Sequence, residues 1–182
     1  FKEYEMTMDR GTSFQLDAMD VNETNFIVNA TSVCSTFQKE HVLPEIDAYR
    51  YSRIYALLKE AGRSTVYTAE AAGVWDKLQE DIAKIRDEIG EETPLVVTVS
   101  QKAKTMLELN EKFTKILNVA EFKAGVINTR IKEFNNCFLK PVPSSRMKTA
   151  YVFKDGKTDG EKEGGFAPAE GSKGINWIIT PQ

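Results

Sequence analysis

Residues 41–51 read HVLPEIDAYRY and set a proline, with the only histidine of the chain, in the middle of a helical pattern. Upstream, Phe26, Ala30, Val33, Phe37 and His41 recur at helical spacing and share one face. Downstream the stripe resumes with Tyr51, Ile54, Tyr55 and Leu58, and Gly62 supplies a stop. Pro44 removes a backbone donor and crowds the carbonyl of Glu40, at a cost of roughly 3 kcal/mol in a regular helix. Two separate helices would need a Gly or Asn behind the first stripe and a capping residue ahead of the second. Neither is present, and Leu43 is a poor cap. The pattern therefore predicts one continuous helix over residues 22–61, bent at Pro44. At roughly 1.5 Å per residue it would be about 60 Å long, a rod that spans or supports a surface.

The reactive groups of this stretch do not assemble into a site on paper. His41 and Glu45 are a helical turn apart, but no second histidine exists to complete a zinc set. A partly buried structural histidine is the expectation. A Ser-His-Asp or Cys-His nucleophile would have to recruit the same His41, and no nucleophile elbow, phosphate loop or dinucleotide fingerprint occurs. The expectation is no catalytic residue, no metal, no cofactor and no enzyme. Lys77, Glu80, Asp81, Lys84 and Asp87 read as a solvated charged face. Cys34 and Cys137 lack metal-ligand spacing and read as two buried thiols. Asn22 and Asn29 open formal glycosylation triplets, taken as chance matches inside a helix.

Composition frames the rest. With 182 residues, 41% hydrophobic and 28% charged, the chain can bury a core. A net charge of −3 disfavours a protein that grips nucleic acid by neutralising phosphates. No apolar run approaches the roughly 20 residues of a membrane span. The chain begins at Phe1 and stops just after an apolar strand, which suggests a fragment of a longer protein.

Ahead of the helix, Tyr4, Met6 and Met8, then Phe14 and Leu16, alternate with polar residues around an Asp9-Arg10-Gly11 turn, the pattern of a strand ribbon. Behind it, Thr68 caps a helix carrying Val74, Trp75, Leu78, Ile82, Ile85 and Ile89, ended by Gly90. LVVTV at 95–99 is a buried strand, and Ser100 caps a further helix. Residues 115–122 suggest a turn or short helix, 136–142 a strand, 154–174 a polar glycine-rich loop and 175–180 a last strand.

Four segments, MDRGTSFQLDAMDVNETNF, VLPEIDAYRYSRI, VPSSRMKTAYVF and GGFAPAEGSKGINWIITPQ, resemble the major capsid proteins of tailed bacteriophages and prophages of Gram-positive bacteria. The resemblance covers most of the chain in order. It implies an α+β coat-protein fold of the Hong Kong ninety-seven type. Residues 1–20 would be a strand ribbon of the extended loop, 21–65 the long spine helix of the peripheral domain, and 66–182 an incomplete axial domain. The family's N-terminal arm, the outgoing loop strand and the sequence after Gln182 have no counterpart here. The implied partners are other copies of the chain in hexamers and pentamers, with scaffold and portal proteins and enclosed phage DNA bound without sequence preference. Assembly would occur in the bacterial host cytoplasm and the product would reside in the virion, with no membrane. Tyr4, Met6, Met8, Asp9, Arg10 and Phe14 would make inter-subunit contacts. The rival expectation is a small α/β enzyme or ligand-binding domain on residues 66–182, with the glycine-rich loop as a lid.

Overall fold

The computed structural model describes residues 8–15, 30–115, 118–124, 127–158, 161 and 163–182. The architecture is mixed α+β. In chain order it comprises α1 (Ala30–Phe37), a π-helical turn (Gln38–Val42), α2 (Leu43–Glu60), α3 (Val74–Ile89), β1 (Leu95–Ser100), α4 (Gln101–Glu108), α5 (Glu111–Thr114), β2 (Asn118–Ala124), β3 (Ile127–Phe134), β4 (Cys137–Val142), β5 (Tyr151–Asp155), β6 (Gly164–Pro168) and β7 (Trp177–Pro181). The chain divides into two compact units, Phe1–Asp47 with Val152–Ala167 and Ala48–Tyr151 with Pro168–Gln182. The boundary thus falls inside α2, and β5–β6 groups largely with the first unit.

Helix runs on both sides of Pro44, as the missing stop signals predict. The accommodation is a π turn: the N–H of Leu43 donates to the carbonyl of Gln38, five residues back. One extra residue in the turn widens the helix just before the proline, where its ring would otherwise meet the preceding carbonyl. α2 ends at Glu60, and Gly62 follows at φ 69°, the left-handed stop that glycine supplies without strain. The expected start of the rod, with its caps at Asp20 or Asn22, lies outside the described residues, as do the first glycosylation triplet and Asn29 of the second, whose Ala30 and Thr31 open α1.

In the second unit, one five-stranded sheet runs β2-β3-β4-β1-β7. β1 pairs parallel with β4 and antiparallel with β7, so it is central and almost wholly buried, which explains its unbroken β-branched sequence. Leu95, Val97, Val99, Cys137 and Leu139 face α3, α4 and α5 across a core that includes Val74, Leu78, Ile82 and Leu107. Trp75, Phe113 and Phe134 meet there, with ring centroids 5.2–5.5 Å apart and inclined geometries. The opposite face carries Val142 and Ile178, packed with Met147, Ile175 and the Tyr51, Ile54, Tyr55 and Leu58 stripe of α2. The downstream half of the helical stripe is therefore a core-building face.

Several expectations are corrected. Residues 8–15 form no strand, so the described part of the 1–20 ribbon is irregular chain. α3 starts after Gly73 rather than at Thr68. The segment after Lys115 holds β2, and the preceding short helix is α5. The 154–174 loop contains most of a two-stranded hairpin, β5–β6. Residues 135–136 are a tight turn rather than strand: Asn135 and Asn136 both take positive φ, 45° and 57°, as a type I′ hairpin requires between β3 and β4. Cys137 is buried as expected, but Cys34 is exposed.

Candidate interaction surface

The first unit holds the residues singled out for contact. Met8 is half-buried and Asp9, Arg10 and Phe14 are exposed, while Tyr4 and Met6 lie outside the described residues. Phe14 keeps 46% of its surface exposed and sets its ring edge-on to Phe37, with centroids 4.9 Å apart. Phe37 in turn stacks on His41 at 5.2 Å. His41 is exposed, not partly buried: its described ring contact is the stacking on Phe37, which leaves most of the side chain uncovered. Leu43 and Ile46 on the same stretch are exposed apolar residues, at 52% and 44%. Among the described residues of this unit no side chain is buried.

Polar contacts do the joining instead. The Arg10 guanidinium donates to the Glu45 carboxylate and to the carbonyl of Lys154, and reaches the carbonyl of Gly165 at 3.5 Å. Glu45, the residue that spacing offered as a companion to His41, is thus engaged by an arginine far away in sequence. This long-range pairing brings the predicted contact loop, the helix and the hairpin to one point, and no local signal in the sequence announces it. No cluster of His, Cys, Asp and Glu suited to a metal occurs among the described residues.

The β5–β6 connection is built by two carboxylates. Asp155 Oδ1 accepts from the N–H groups of Lys157 and Thr158, both at 2.8 Å, and those donors hold its carboxyl well below the usual range. Glu161 Oε2 accepts from the N–H groups of Asp155 and Gly156 at 2.8 and 3.1 Å. Gly156 sits at φ 72°, where a Cβ would lie 2.7 Å from the Gly164 nitrogen. These acidic groups shape a turn, with one oxygen of each, Asp155 Oδ1 and Glu161 Oε2, taken up by backbone N–H groups.

In the second unit, the start of α4 at the end of β1 is the place where an α/β domain most often receives an anion. Here Ser100 Oγ accepts from Ala103 N–H at 3.3 Å and Ser144 Oγ from Lys102 N–H at 3.0 Å. Ser100 is therefore a cap, as the sequence suggests. Asp81 is more than part of a solvated face. It pairs with Lys77 at 3.2 Å and accepts from the Trp177 indole N–H at 3.1 Å, anchoring the edge strand β7. Arg86 reaches the β3–β4 turn, donating to the Asn135 carbonyl and lying 3.6 Å from Cys137 Sγ. Burial pushes the Cys137 thiol up, with the Arg86 charge opposing it.

No protein-family model matches the chain, and no curated protein or solved structure matches it either. Among the described residues, no helix is long and apolar enough to cross a membrane.

Proposed function

We propose that this chain is part of a major capsid protein that self-assembles into the icosahedral head of a tailed phage or prophage, with the Hong Kong ninety-seven type of coat fold. The observation that carries the reading is the contrast between the units. The second has a dense aromatic and aliphatic core, whereas the first has no buried side chain among its described residues. A limb without a core of its own gains stability by lying on another surface, and in a shell that surface is the next copy. The exposed Phe14, Leu43 and Ile46 are the apolar groups such a contact would cover. The sequence resemblance points the same way, since its order of loop, long helix and α/β body is the order of elements here. The modest negative charge suits a container that must hold DNA without gripping it.

Expression of the gene product that carries this chain, with any scaffold and protease encoded beside it, tests the proposal by sedimentation. Assembly predicts a fast, homogeneous boundary of particles far larger than a hexamer. Material that stays at the top of the gradient as monomer under those conditions opposes it.

A further inference from the structure

We propose that Arg10 is a salt-sensitive latch that holds the 8–15 segment on the first unit. Four observations carry it. The segment has no strand pairing, so backbone hydrogen bonds in a ladder do not fix it. Its guanidinium joins partners 35 and 144 residues away, the Glu45 carboxylate and the Lys154 carbonyl, and so closes two long loops at one side chain. Gly164 lies directly beside it: a Cβ there would touch at ordinary contact distance, 3.4 Å from Arg10 Nη2 and 3.5 Å from the Lys154 and Asp155 carbonyls, so a branch beyond that Cβ would crowd the guanidinium. Finally, the surrounding unit lacks buried side chains among its described residues, so an ion pair carries a share of cohesion that a core would otherwise supply.

The pair is partly exposed, with side-chain exposures of 28% for Arg10 and 16% for Glu45, so dissolved salt reaches it. The screening length falls from about 10 Å at 0.1 M to about 3 Å at 1 M ionic strength. The latch therefore opens as salt rises, releasing the segment. The latch rests on this geometry alone and stands or falls separately from the shell assignment.

Trypsin reads the latch directly, because cleavage at Arg10–Gly11 requires the guanidinium to leave its partners and enter the protease. Arg63–Ser64 is the internal reference, since Arg63 lies in exposed chain just past the end of α2, its guanidinium in a solvent-exposed pairing with Glu88. In low salt, Arg10–Gly11 should be cut roughly tenfold more slowly than Arg63–Ser64, the effect of a charge-assisted hydrogen bond. Glu45→Gln and 1 M salt should each remove most of that difference. Gly164→Val, which places a branched side chain beside the guanidinium, should do the same while leaving the Glu45 carboxylate and the Lys154 carbonyl in the chain. Equal cleavage at both sites in the unaltered chain overturns the latch. So does protection at Arg10 that survives salt and both substitutions.

Discussion

Cys34 and Cys137 show how a single residue's setting decides its chemistry. Cys34 lies on an exposed turn of α1, whereas Cys137 points into the core beside Arg86. Burial raises the Cys137 pKa above its ordinary 9.0, so the folded state favours the protonated thiol. The sign follows: this contribution to stability is full below pH 9.0 and is lost as pH rises through the folded value. Cys137→Val should flatten the alkaline fall in stability measured by urea unfolding between pH 7.5 and 10.5. A thiol reagent should label Cys34 rapidly and Cys137 only on unfolding; equal rates would contradict the burial. The sequence spoke correctly for Cys137, in a strand, but not for Cys34. A stripe at helical spacing shows which residues share a face, not whether anything covers that face.

At the scale of elements, the helix through Pro44 is the informative case. Missing stop and cap signals make its continuity legible, because they are local chemistry. The π turn is not legible, since it depends on how the chain redistributes the proline's cost over the preceding residues. A proline in a regular helix costs roughly 3 kcal/mol, and its removal would return that amount. With the turn already widened at Gln38–Val42, Pro44→Ala should change stability by less than about 1 kcal/mol, measured by urea unfolding. A gain near the full proline penalty would mean the π turn relieves nothing. The Asn135-Asn136 turn teaches the complementary lesson. Its residue types fit a tight hairpin, yet a strand reading absorbed Asn136 because the apolar run from Cys137 follows without a break. The same bias hid β5–β6, whose Asp155, Gly156 and Glu161 turn contacts look like ordinary loop polarity until the backbone they bind is known.

On the scale of the whole molecule, two kinds of order coexist. The second unit was readable in part: β1, the Ser100 cap, the Gly90 stop and the last strand sit close to their expected places, whereas α3 starts later than Thr68 and β2 and β3 were not read as strands. Each of the features in place is set by short-range periodicity or capping, reinforced by one shared core. In the first unit the helix was readable but its joining to the 8–15 segment and the hairpin was not, because Arg10 makes that link across long sequence separations rather than by a pattern along the chain. The capsid proposal turns on this contrast: a core in the second unit, and exposed Phe14, Leu43 and Ile46 with no buried residue among the described residues of the first. Electron microscopy of the gene product, expressed with any scaffold and protease encoded beside it, tests the capsid proposal most directly. The account predicts closed shells of uniform diameter with hexameric and pentameric capsomers; a field of dispersed monomers or small rings under those conditions would contradict it.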